Sequence, residues 1–132
     1  MNRLSAFTII TATCAYVVVA TANEAIHGSW VYTYKDTQCK ETYTFHADGT
    51  YKTTSAQEII TGKYRIESII GFGNRQKLTF YESHDNGLVD CYGTAKKFEP
   101  ESFLVVEITG GKMAYYAKQE SATPIIELEK VK

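Results

Sequence analysis

Cysteine and proline are scarce in this chain, and so is any surplus of charge of one sign. Three cysteines in 132 residues are too few for a disulfide-dense miniprotein. Lys and Arg number 14 against 15 Asp and Glu, a net charge of -1, and the pI is about 6.3. That balance excludes the basic face of a nucleic-acid binder. With 44% hydrophobic and 22% charged residues, the chain is equally far from a disordered composition. Its length holds one domain, and there is no internal repeat, low-complexity segment or long linker. No Gly-x-Ser-x-Gly elbow, phosphate loop, helical metal motif or zinc-ribbon spacing is present. His27 precedes the first strand, while His46 and His84 fall at turns, where histidines are solvated. The carboxylates are scattered. The sequence therefore reads as a non-enzyme with no metal and no cofactor.

Long apolar runs are missing too, with one exception. Residues 4–20 carry no charge, a run of 17 residues. Arg3 precedes it, Ala20-Thr21-Ala22 follows, and Asn23-Glu24 restores polarity. Basic start, apolar middle and small-residue end make residues 1–22 a secretory signal peptide. The alternative, an uncleaved anchor, has a run short of the roughly 20 residues that span a bilayer. Lipidation at Cys14 finds a poor lipobox in Thr11-Ala12-Thr13. Cleavage after Ala22 leaves residues 23–132 as a single domain, periplasmic or secreted, with no membrane span. Arg3 leaves with the signal, so 13 basic residues face 15 acidic ones, a net charge of -2. Cys14 leaves as well, and the remaining pair, Cys39 and Cys91, most simply forms one disulfide in an oxidising compartment. Two free thiols forming a reactive or metal site would lack a Cys-x-x-Cys spacing.

What is abundant is Tyr, Thr, Val and Ile, residues that suit a pleated surface. Residues 28–34 alternate, with Trp30, Tyr32 and Tyr34 on one face. Residues 39–46 alternate again, with Tyr43 and Phe45 on one face. Asp48-Gly49 is a hairpin turn, and residues 50–55 return. In residues 58–67, Ile60, Gly62, Tyr64 and Ile66 share a face. Residues 69–74 loop around Phe72, and residues 76–83 put Leu78 and Phe80 inward. His84-Asp85-Asn86-Gly87 reads as another hairpin turn leading to a strand over 88–94. Pro100 interrupts the ladder, since proline has no N–H to donate. Residues 103–109 and 112–119 flank Gly110-Gly111, and residues 125–131 close the chain. This predicts an all-β, antiparallel up-and-down meander of eight or nine strands, closed or nearly closed into a small barrel.

Gly28-Ser29-Trp30 on the first strand resembles the opening of lipocalins and related calycin barrels. The stretch from Thr42 through Asp48-Gly49-Thr50-Tyr51 resembles the second hairpin of bacterial lipocalin-like domains. Ile60-Thr61-Gly62-Lys63-Tyr64 is similar to one of their later strands, and the segment from Gly111 to Leu128 to their last hairpin. The resemblance covers most of residues 23–132 and implies a lipocalin-like barrel that binds a small apolar or amphipathic molecule. In typical lipocalins a late arginine packs over the tryptophan; here none follows Arg75, leaving Lys130 or Lys132 as the substitute. The short chain and lack of an evident terminal helix imply a calyx smaller than usual.

Two functional expectations follow. In the first, a monomeric carrier barrel, the pocket candidates are Trp30, Tyr43, Tyr51, Tyr64 and Tyr115. Trp30, Tyr43, Phe45, Tyr64, Leu78 and Phe80 also fit a packed core. In the second, an inhibitor, immunity protein or envelope-assembly module meets a protein partner through loops and exposed tyrosines. Its surface would combine Phe72, Arg75, Tyr81, His84 and Tyr92. Asp90 and Glu107 sit among apolar neighbours. They read either as the solvent side of half-buried strands or as polar anchors in a cavity.

A Cys39–Cys91 bond closes a loop of about 53 residues, worth about 4 kcal/mol in the chain-entropy picture. Replacing both cysteines by serine should lower the unfolding free energy by about 2–4 kcal/mol. Urea midpoints that coincide with and without reductant would contradict this.

Overall fold

A computed structural model of the protein describes residues 25–132; the segment read as a signal, with Cys14 in it, lies outside the described residues. The strands are β1 (Gly28–Thr33), β2 (Lys40–Phe45), β3 (Thr50–Ser55), β4 (Glu58–Ser68), β5 (Arg75–Asp85), β6 (Glu101–Thr109), β7 (Lys112–Tyr116) and β8 (Ile126–Lys130). Each pairs antiparallel with the next, and β8 pairs with β1, giving a closed eight-stranded up-and-down barrel. The closing seam is short. Trp30 stands opposite Lys130 and Val31 opposite Glu129. The Val131 N–H extends it by donating to the Ser29 carbonyl at 2.9 Å.

Period-two alternation decides what each strand turns inward. On β1 that is Trp30, on β5 Leu78, on β6 Val106, on β7 Met113 and on β8 Leu128, all fully buried. These side chains fill one end of the barrel. Residues 25–27 cross that end and drop Ile26, also fully buried, against them. The Trp30 indole N–H donates to the Ile26 carbonyl at 2.7 Å, which fixes this plug. Lys130 Nζ lies 5.0 Å from the Trp30 ring centroid and donates to the Ala25 carbonyl at 3.4 Å. Lys130, rather than Lys132, therefore takes the cation's place over the tryptophan.

The Asp48-Gly49 turn forms as the sequence implies. Asp48 accepts from the Thr50 N–H and hydroxyl at 2.9 and 2.6 Å, and Gly49 takes φ of 84°, a region glycine enters without strain. The strand expected over 88–94 does not form, so the described residues hold eight strands, and His84-Asp85-Asn86-Gly87 does not start a hairpin. Side chains take the backbone bonds that a ladder would use. Asp90 Oδ1 accepts from the N–H groups of Tyr92 and Thr94 at 2.9 and 3.1 Å, and Gly93 closes a tight turn onto the Asp90 carbonyl. Residues 86–100 are thus one long connection from β5 to β6. The Cys39–Cys91 disulfide, with Cα atoms 5.8 Å apart, ties it to the β1–β2 loop.

The register of β4 on β5 shifts between Thr61 and Gly62, a β-bulge. A Cβ at Gly62 would stand 2.1 Å from the Tyr81 carbonyl oxygen and 2.9 Å from Tyr51 Cε1. Only a residue without a side chain lets β5 and the Tyr51 ring approach β4 this closely. Gly62→Ala should therefore lower stability by about 2 kcal/mol or more, as overpacking does. A denaturation curve within about 0.5 kcal/mol of the parent, the range of an ordinary surface change, would refute that close approach.

Candidate functional site

Opposite the plug, the barrel is covered by the strap of residues 86–100, and the strap is anchored along its length. Asn86 accepts from the Ile59 N–H at 3.0 Å and donates to the Gln57 carbonyl at 2.9 Å. The Val89 carbonyl accepts from the N–H groups of Gln57 and Glu58, both at 3.1 Å. Ser55 Oγ accepts from the Cys91 N–H at 3.0 Å, next to the disulfide. The Tyr92 ring meets Tyr34 edge-on at 5.0 Å, and Tyr34 meets Tyr32 the same way at 4.8 Å. Farther along, the Glu99 N–H donates to Glu82 at 3.3 Å.

Beneath and beside this strap is a cavity of about 570 Å³. Its apolar walls come from Tyr43 on β2, Tyr51 on β3, Ile60 on β4, Phe80 on β5 and Leu104 on β6. Tyr51 and Phe80 stack edge to face at 4.9 Å. Its polar lining is acidic: Glu41, Glu58, Glu82, Asp85, Glu99 and Glu101. Lys96 and Lys97 hang over it from the strap.

The carboxylates differ in their surroundings. Glu41 accepts from the hydroxyls of Tyr34 at 2.8 Å, Ser55 at 3.4 Å and Tyr43. Burial, reinforced by this carboxylate, pushes the Tyr34 and Tyr43 hydroxyls well above the ordinary phenol value. Burial and then Glu82 push Tyr51 up to about 12. Glu58 is only 1% exposed, and its Oε1 has no hydrogen-bond partner. Burial raises its pKa above the usual glutamate value; Lys96 opposes the shift, and the charges of Asp85, Asp90 and Glu41 add to it. Glu82 is likewise raised by burial, and its Oε1 also lacks a partner.

Asp90 is 3% exposed but lies in the strap, on neither face of a strand. Burial pushes its carboxyl up, yet the Thr94 and Tyr92 donors and the Thr94 hydroxyl outweigh that and leave it below the usual aspartate value. Lys96 Nζ is 3.9 Å from Asp90 Oδ2. Glu107 is half-buried and faces Arg75 Nε at 3.7 Å.

Of the pocket candidates, Tyr43 and Tyr51 line the cavity. Tyr115 stands behind Tyr43, ring centroids 5.7 Å apart, and its buried hydroxyl has no partner. Trp30 and Tyr64 belong to the packed core, where the Tyr64 hydroxyl donates to the His46 carbonyl at 2.9 Å. The candidates for a protein surface are not brought together. Phe72 lies in the connection before β5, Arg75 opens that strand, and His84 lies one residue from its end. Nine steps along β5 separate Arg75 from His84, roughly 30 Å. Arg75 is engaged where it stands, with its guanidinium 3.8 Å over the Tyr116 ring and Nη1 donating to the Gln119 carbonyl. Tyr81 is half-buried opposite Lys63 and Glu101, and Tyr92 is on the strap, 71% of it exposed.

Glu41, Glu58, Glu82 and Lys96 were not singled out by the sequence. One signal for two of them was present. Glu41 has the parity of Tyr43 and Phe45, and Glu58 that of Ile60 and Gly62, so the alternation that buries those residues carries both carboxylates inward. No protein-family model matches the chain, no curated protein sequence matches it, and no solved structure matches it.

Because burial raises the Glu58 pKa, the folded protein holds that proton more tightly than the unfolded chain. Ionisation then destabilises the fold at pH above the folded-state value, and the penalty vanishes below the unfolded glutamate value of about 4.3. Glu58→Gln should therefore be more stable than the parent at pH 7, and the gap should close by about pH 3.5. Urea unfolding at both pH values measures it; a variant less stable than the parent at pH 7 would contradict an unpaired, buried Glu58.

Proposed function

We propose that this barrel is an exported, lipocalin-like, non-catalytic carrier that binds one small amphipathic molecule in the strap-covered cavity. The cavity itself carries the reading. Its volume of about 570 Å³ falls within the range of small-molecule sites, and it combines aromatic walls with a few placed polar groups. A packed core closes one end of the barrel, which leaves the opposite end to a ligand. The lipocalin-like assignment is supported by Gly28-Ser29-Trp30 at the start of the first strand and by Lys130 over the Trp30 ring. The disulfide fits an oxidising compartment, periplasmic or extracellular. Among the described residues no helix is long and apolar enough to cross a membrane.

A second reading, recognition of a protein partner, has one observation in its favour. The strap exposes Leu88, Tyr92 and Phe98, and exposed aromatics such as the last two supply contact area at protein interfaces.

Native mass spectrometry of the protein purified from its own host separates the two. The carrier reading expects a monomer with an added mass of a few hundred daltons that dissociates on activation. Leu104→Trp, which fills the cavity from β6, should reduce ligand occupancy at least tenfold. An adduct that persists in Leu104→Trp would place the ligand elsewhere. A bare parent co-purifying with a second protein at fixed stoichiometry would favour the partner reading.

A further inference from the structure

The charges around the cavity do not balance. Six carboxylates line it: Glu41, Glu58, Glu82, Asp85, Glu99 and Glu101. Two lysines face them, and Lys96 is drawn toward Asp90, a strap residue outside the lining, at 3.9 Å. The formal excess is four negative charges. Such a lining repels an anionic amphiphile and draws in a cation, the more so because low-dielectric walls strengthen the field inside.

One carboxylate is placed to receive that cation. The Glu41 oxygens are already occupied by the hydroxyls of Tyr34, Tyr43 and Ser55. Glu58 is 1% exposed, its Oε1 has no partner, and it opens on the cavity. A buried carboxylate left this way is unfavourable until a counter-ion reaches it. Glu82 Oε1, on the neighbouring strand, is a second acceptor without a partner. Among the described residues no three His, Cys, Asp or Glu side chains converge to hold a metal ion. The surrounding wall is aromatic, which suits an organic cation better than a bare ion.

We propose that the ligand is an organic cation, an ammonium group on an aromatic or short apolar body. The ammonium pairs with Glu58, Glu82 adds its charge from farther along the same lining, and the body lies against Tyr43, Tyr51 and Phe80. This rests on the carrier reading and narrows it to one charge class.

Three probes with the same body but different charge test it by titration calorimetry on the purified protein with its disulfide intact: 2-phenylethylammonium, 2-phenylethanol and 3-phenylpropanoate. The ammonium should bind at least tenfold more tightly than the alcohol, and the carboxylate more weakly than the alcohol. Glu58→Gln should shrink the ammonium-to-alcohol affinity ratio at least tenfold, and Glu82→Gln should shrink it less. An undiminished ratio in Glu58→Gln, a variant expected to be more stable than the parent at pH 7, counts against the proposal. Alcohol or carboxylate binding as tightly as the ammonium overturns the cation assignment and leaves the carrier reading standing. Binding of none of the three, with no adduct on the native protein, overturns both.

Discussion

The short seam between β1 and β8 is what turns a meander into a vessel. Only Trp30 opposite Lys130 and Val31 opposite Glu129 are in register there, continued by the Val131 bond to Ser29. Without the seam, β1 and β8 would be open edges, and the inward faces of eight strands would have no common interior. The same few residues also build the plug. Trp30 lies in the seam, holds the Ile26 carbonyl and carries Lys130 over its ring. Barrel closure and closure of one end are therefore a single arrangement around one indole.

With one end packed, the chemistry concentrates at the other. Strand parity continues inward there, but the residues it delivers are Glu41, Thr53, Ser55 and Glu58 in place of Leu and Val. Burying such groups is unfavourable unless partners are supplied. The fold supplies them unevenly. Glu41 has three hydroxyl donors, and Asp90 has backbone donors on Oδ1 with Lys96 3.9 Å from Oδ2, whereas Glu58 Oε1 has no partner. Stability alone would favour a neutral residue at that position. An uncompensated buried carboxyl beside an aromatic-walled cavity is the kind of local conflict found where binding is served at the expense of stability.

The strap roofs part of this polar end and leaves the cavity open at its side. A connection of this length would ordinarily be loose. Here Asn86, Asp90 and the disulfide replace the missing ladder, so the strap is held in place without being a strand. The same side-chain bonds explain why the pattern of residues 88–94 misleads. Val89, Cys91 and their neighbours have strand propensity, but Asp90 and Asn86 offer the backbone local partners first.

Much of the architecture is local enough to be read along the chain. Alternation from Trp30 through Leu128, the Asp48-Gly49 turn and the pairing of Cys39 with Cys91 all follow from neighbouring residues or from simple counting. The cation over Trp30 does not: the lipocalin resemblance left Lys130 and Lys132 open, and the fold selects Lys130. The candidate site is legible only in part: Tyr43 and Tyr51 line the cavity, but Trp30 and Tyr64 are core, and the carboxylates that drew notice, Asp90 and Glu107, are not the ones in the lining. Alternation says that a residue points inward; it does not say whether the inside at that height is packed, covered or open. That depends on strand register, on the bulge at Gly62 and on where the strap lies. These set Glu41 and Glu58 on either side of Ser55 and bring Glu82, farther along, into the same lining. The sequence by itself determined an antiparallel meander, closed or nearly closed, with one pair of cysteines able to bond. Only the tertiary structure decided that one end is filled and the other is an acidic cavity, because burial is set by contacts between residues far apart in the chain.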